Sequence, residues 1–193
     1  MVENGVPESW GDVAEQIVQG LAHEINNRLL ALMGVRELGE GGLDPELLRL
    51  FDDELSRLEG ANRLLRRLGQ RSGGPEVLEG SALLDGVREL HARNAALRGL
   101  RTEWSVAAGL PAVRVDPVAA ERGLLWLLAS IGASASAVAG PLTVTASSEG
   151  ETVVARVAPP AGEPGAGPTR ALEAAGATVE RTPAGVVVRF PAV

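Results

Sequence analysis

Only two residues in this 193-residue chain carry an imidazole, His23 and His91, and there is no cysteine. Nucleophilic or proton-transfer chemistry at a neutral ring nitrogen must therefore use one of those two side chains. His23 has the better company, standing in Leu21-Ala22-His23-Glu24-Ile25-Asn26-Asn27-Arg28-Leu29. In a helix that advances 100° per residue it lies about 200° from both Leu21 and Ile25, so the apolar stripe those residues mark leaves it uncovered. Glu24 is adjacent in sequence and can polarise the ring or take its proton, and Asn27, one turn on, shares its face. An exposed imidazole so accompanied can accept a phosphoryl group on nitrogen and later release it. His91, in Leu90-His91-Ala92-Arg93-Asn94, has no adjacent carboxylate and reads as structural. A metal on His23 is not expected, because no second histidine or cysteine stands at ligand spacing. Gly165-Ala166-Gly167 is a lone Gly-x-Gly and reads as a turn.

Composition removes other chemistries. Aromatic residues are only 3% of the chain, so the core must be built from Leu, Val, Ala and Ile, and stacked-base recognition is not expected. All 18 basic residues are arginine, which excludes lysine Schiff bases and a P-loop lysine. A net charge of -7 argues against nucleic acid or an anionic membrane as the main partner. Hydrophobic residues make up 45% of the chain, enough to bury a core, yet no leader-like start and no long uninterrupted apolar run occurs. The expectation is a soluble, cytoplasmic protein.

The elements that must position His23 follow from periodicity. Ser9 and Asp12 form a capping-box pattern, after which Val13, Ile17, Leu21, Ile25, Leu29 and Leu32 recur at helical spacing to about Leu38. Gly39-Glu40-Gly41-Gly42-Leu43 ends that helix, and Asp44-Pro45 opens a second with an N-cap and a first-turn proline. So short a connection predicts an antiparallel hairpin. In the second helix Leu48, Phe51, Leu55, Leu58, Asn62 and Leu65 alternate steps of three and four, with Leu47, Leu50, Leu64 and Leu68 widening the stripe. One hairpin cannot cover two such faces, so a homodimeric four-helix bundle is expected, with Asn62 a candidate for fixing its register.

Arg71-Ser72-Gly73-Gly74-Pro75 has the composition of a linker, dividing a hairpin over 1–72 from a second domain over 76–193. There Ser81 is expected to cap a helix over Ala82–Leu100, followed by strands at Thr102–Ala107 and Ala112–Val115. Asp116-Pro117 opens an apolar helix to about Ala133. A hairpin follows at Leu142–Ser147 and Thr152–Val157, then a loop from Pro159 to Pro168, a helix near Arg170–Ala175, and strands at Thr178–Arg181 and Val186–Phe190.

His23-Glu24-Ile25-Asn26-Asn27 resembles the H-box of bacterial histidine kinases, in which a dimeric helical hairpin carries the phosphoaccepting histidine. The resemblance implies His23 as phosphoacceptor, Glu24 as its acid/base partner and Asn27 as a residue that positions water for phosphatase chemistry. Arg28 departs from the family, which often has proline there. The helix should be straighter for it, and Arg28 is then available to stabilise phosphate.

The second half resembles the catalytic ATP-binding domain of the same kinases, in which case the fold class is α+β, a hairpin followed by a small, degenerate α/β sandwich. Its nucleotide motifs are missing. Where the resemblance expects asparagines for phosphate and magnesium, this chain has Trp126 and Ser130, and where it expects an adenine-reading Asp-x-Gly, it has Ala158-Pro159-Pro160. An indole cannot ligate magnesium. The expectation is a histidine phosphotransferase that relays phosphoryl groups between receiver domains, with no ATP, no autokinase activity, no resident cofactor, and magnesium supplied by the receiver. Leu30, Met33, Val35 or their neighbours are expected to form part of the receiver-docking face. Two alternatives stand beside this: a scaffold that binds or sequesters a kinase or regulator, and a receiver phosphatase that uses Asn27.

Overall fold

The structure, a computed structural model, describes residues 6–38, 44–97, 100–135, 141–158 and 166–193. The turn expected at Gly39–Leu43, and Pro159, Pro160 and Gly165, lie outside these residues.

Helix α1, Trp10–Leu38, begins on the expected reciprocal cap: Asp12 N donates to Ser9 Oγ at 3.3 Å, and the Asp12 carboxylate accepts from Ser9 N at 2.8 Å. Arg28 does not interrupt it, and the helix runs unbroken for 29 residues. Helix α2, Pro45–Leu68, starts where Asp44 accepts from the amides of Glu46 and Leu47, both at 2.9 Å. The two helices form the hairpin.

The remaining chain is mixed α and β. Strand β1 is Glu76–Glu79, helix α3 Gly80–His91, β2 Thr102–Val106, β3 Ala112–Val115, helix α4 Pro117–Ala135, β4 Leu142–Ser148, β5 Thr152–Ala158, helix α5 Ala166–Ala174, β6 Thr178–Thr182 and β7 Gly185–Pro191. Five strands form one sheet in the order β2-β4-β5-β7-β6, with β2 parallel to β4 and the other pairs antiparallel. β1 pairs separately and antiparallel with β3. Alternation along β4 buries Leu142, Val144 and Ala146 against the helices and leaves Thr143 and Thr145 on the opposite, polar face, where Arg156 and Arg189 share Glu149.

Four expectations change. Helix α3 ends at His91 rather than Leu100: the Asn94 side chain accepts from Ala96 N at 3.0 Å and the chain restarts as a single 3-10 turn over Ala95–Leu97. Ser81 is not its cap, because the helix already begins at Gly80 with Glu79 in the capping position and no side-chain cap bond. β1 had no sequence signal, being four residues long with only Leu78 partly buried. α5 begins at Ala166 and takes in Pro168, which the first turn of a helix tolerates.

The largest change concerns what covers α1. Val13, Ile17 and Leu21 are fully buried within a single chain, in the same apolar cluster as Leu90 and Leu97 of the second domain and Leu124, Leu128 and Ile131 of α4. Half of the stripe expected to seek a dimer partner is therefore satisfied by the chain's own second half. Polar contacts reinforce the junction. Arg67 of α2 crosses α3 at Gly86, where a side chain would collide with the guanidinium, to pair with buried Glu121 of α4. Arg122 donates to Leu68 O at 3.1 Å, and Asp116 accepts from Ser72 Oγ and, at 2.9 Å, from Gly74 N. The glycine-rich connection is thus strapped onto the start of α4. No helix among the described residues is long and apolar enough to cross a membrane.

Candidate functional site

His23 lies two residues beyond Leu21, which ends the buried run in the first half of α1, on the side the core does not claim, and it is exposed. Asn27, one turn on, brings its amide Nδ2 to 3.2 Å from His23 Nε2. With the amide donating, Nε2 accepts and the ring proton resides on Nδ1, so the single Nε2 lone pair is held by the carboxamide and is exposed to an electrophile when the exposed Asn27 side chain turns away. The helix accounts for this pairing, since residues four apart stack on one face.

Consecutive helical side chains diverge by 100°, and the Glu24 carboxylate turns to two arginines, with Arg93 Nη1 at 2.6 Å and Arg28 Nη2 at 4.0 Å. Arg28 is engaged in turn by Glu54 of α2 at 3.2 Å, and Glu54 also holds Arg57 at 2.6 Å. The four sequence-predicted residues, His23, Glu24, Asn27 and Arg28, line one open cleft of about 280 Å³ together with Gly20, Ala92 and Arg93.

Arg93 is the residue that sequence reasoning missed. It lies 70 positions after His23, on the turn that ends α3, and nothing in its own neighbourhood marks it. Gly20 is the local signal that brings it in: a Cβ there would strike the Arg93 carbonyl, so α1 must present bare backbone for the turn to dock.

His91, two residues before Arg93, is buried, bonds Thr102 Oγ1 at 3.0 Å and meets the Trp104 ring edge-on with centroids 5.8 Å apart. Burial pushes its pKa down to about 4, so it is neutral near pH 7. Ser130 is buried in α4. Trp126 donates from Nε1 to Pro7 O at 3.1 Å, and its ring occupies the space that a Cβ on Gly167 of α5 would need. Of the expected docking residues, Leu30 and Met33 are exposed, at 65% and 57%, whereas Val35 is buried against the hairpin and is not part of an open face.

A larger groove of about 700 Å³ lies between the end of α2 and the start of α4, with Arg63, Arg67 and Arg71 facing Glu76 and Glu121. Its inner arginine is spent on Glu121, whose carboxyl burial raises despite that pairing. Among the described residues no three His, Cys, Asp or Glu side chains are grouped to hold a metal ion.

No family model matches the chain, and no curated protein matches it in sequence. Solved structures do resemble it. They include the Acinetobacter baumannii histidine kinase AdeS, 15% identical with a TM-score of 0.47 over 88% of this chain and 97% of that one. The histidine kinase ThkA, solved in complex with the response regulator protein TrrA, is 19% identical with a TM-score of 0.47, over 94% of this chain and 63% of ThkA. A bacterial phosphotransferase is 16% identical with a TM-score of 0.41, over 96% and 98%. This chain accordingly spans less than two thirds of ThkA and nearly the full length of the other two.

Proposed function

We propose that this chain is a histidine phosphotransferase of a two-component phosphorelay, carrying a phosphoryl group on His23 between receiver-domain aspartates. The observation that carries the reading is the exposed His23, which lines a cleft with Arg28 and Arg93 and is paired through Nε2 to Asn27. In the forward step Asn27 turns away from Nε2, and the freed lone pair attacks phosphorus of a receiver's aspartyl phosphate. The N–P bond forms as the P–O bond to the aspartate breaks, the bonding pair leaves with the carboxylate, and the Nδ1 proton stays in place. The reverse of the same step loads a second receiver. Asn27 orients the ring between transfers, Arg28 adds positive charge to the cleft, and Glu24 offsets part of the arginines' charge. Magnesium belongs to the receiver in this scheme.

The reading also assigns no ATP to the second domain. Trp126, at a position where the resemblance expects a carboxamide, is committed to packing α4 on α5 and to the carbonyl of Pro7. Titration with ATP should show no binding, and micromolar affinity would overturn this part.

Homodimerisation belongs to the same proposal. Leu48, Leu55 and Asn62 stand seven residues apart on α2 and are exposed in the single chain, with Leu29 exposed on α1. Leu30 and Met33 then provide apolar surface beside His23 for a receiver. The domain division at 72/76 and a cytoplasmic location complete the picture.

A phosphatase is the second reading, because the Asn27 amide beside Nε2 is also placed to hold a water. Incubation with phosphorylated receivers separates the cases. Acid-labile label on the wild type but not on His23→Ala is the expected result. Loss of receiver label without label on the chain would establish the phosphatase instead, and retained binding with neither would establish the scaffold.

A further inference from the structure

The charges around His23 are not balanced. Among the described residues Arg28, Arg57 and Arg93 pair with Glu24 and Glu54 alone, and two of the arginines retain a buried Nε–H with no acceptor there, on Arg28 and on Arg93. A buried guanidinium donor left unmade is costly, and the cleft that both residues line opens onto the ring whose nitrogen would carry a dianionic group. Arg28 is fixed from behind by Glu54 on α2. Arg93 is held at its tip by one carboxylate, on a turn whose carbonyl rests against Gly20, one helical turn before Glu24.

We propose that Arg93, delivered by the second domain, is the phosphoryl-binding residue of the His23 site: it rests on Glu24 in the unphosphorylated protein and moves to the phosphoryl oxygens once His23 is loaded. This inference rests on the reading of His23 as phosphoacceptor and adds a residue and a domain to that site. Arg28 keeps Glu24 when Arg93 leaves, so no carboxylate is stranded. The second domain is then a functional part of the transfer site, and phosphorylation exchanges one interdomain ion pair for another.

The test uses the full chain and phosphoramidate, a small donor that needs no receiver. His23 Nε2 forms the N–P bond as the P–N bond of the donor breaks, and ammonia leaves with the proton it requires from solvent. The phosphoryl group is then titrated by 31P NMR. A guanidinium in contact should hold its pKa about one unit below that of free Nε2-phosphohistidine. Arg93→Gln should raise it most of the way back and slow loading about tenfold, while Arg93→Lys, which keeps a charge without the fork, should fall between. Arg93→Gln is first checked for a native circular dichroism spectrum, since a residue that only joined the domains would change stability and leave the phosphoryl titration unmoved. A wild-type pKa equal to that of free phosphohistidine overturns the assignment without any variant, as does an identical titration in folded Arg93→Gln. Absence of label on His23 in the wild type overturns the phosphoacceptor reading and Arg93 with it, so the two failures are told apart.

Discussion

The two ends of the helical hairpin have opposite surroundings. At the base, Val13, Ile17 and Leu21 of α1 are sealed by the second domain, and Ala61 and Leu64 of α2 join the same cluster. Toward the tip, Leu29, Leu30, Met33, Leu48, Leu50 and Leu55 are each more than 40% exposed. His23 lies at the border between them. The base behaves as part of a single folded core, whereas the tip leaves apolar surface open, the surface to which the proposed dimer and receiver contacts are assigned. A hairpin built only for self-association would show one treatment along its length; this one spends its first half on fixing His23 relative to the second domain.

Breaking the base should cost most. Ile17→Ala, at a fully buried position, is expected to destabilise the chain by about 2–5 kcal/mol, read by denaturant unfolding. Leu30→Ala at the tip should change stability by under about 0.5 kcal/mol. Equal costs at the two positions would remove the distinction between base and tip.

Acid should weaken the base next, through His91. Its folded pKa is lowered from 6.5 to about 4 by burial, so between those values the unfolded chain binds the extra proton and the folded chain does not. Stability is full above pH 6.5 and declines as pH falls toward 4, by about 3 kcal/mol in all. Unfolding curves across that interval, compared between the wild type and His91→Gln, measure the contribution, and a pH-independent difference would contradict it.

Gly20→Ala acts at the border between base and tip. The methyl group would meet the Arg93 carbonyl, and the turn must shift. A loss of about 1–3 kcal/mol is expected, together with weakened Glu24–Arg93 pairing, whereas alanine at Gly34, which has open space around it, should be neutral or slightly stabilising. At the tip, Leu48→Glu with Leu55→Glu should leave the monomer fold intact and convert a dimer to a monomer by light scattering. The smallest effect is expected from Leu30→Glu or Met33→Glu, which should slow transfer from a receiver without altering either fold or oligomeric state.

Much of this architecture was written in local pattern. The caps at Ser9 and Asp44, the strands β4 and β5 and the start of α4 follow from short-range chemistry that a single stretch of residues contains. The His23–Asn27 pair was legible for the same reason, because four residues apart on a helix is a contact. Arg93 was not, since its approach to Glu24 depends on a turn docking against Gly20 across 73 positions, and no periodicity encodes that meeting. Val13, Ile17 and Leu21 are covered by the second domain for a related reason that periodicity does not carry: an apolar stripe states that something covers it, not what. Val35 shows the same limit at smaller scale, lying one residue off the exposed face that Leu30 and Met33 share.

Passage of phosphoryl groups through His23 can be followed by a pulse-chase between two receivers. A labelled phospho-receiver is mixed with the chain, and a second, unlabelled receiver is added. Label should appear transiently on the chain and then on the second receiver in the wild type, with both lost in His23→Ala. Label reaching the second receiver at an undiminished rate through His23→Ala would contradict it.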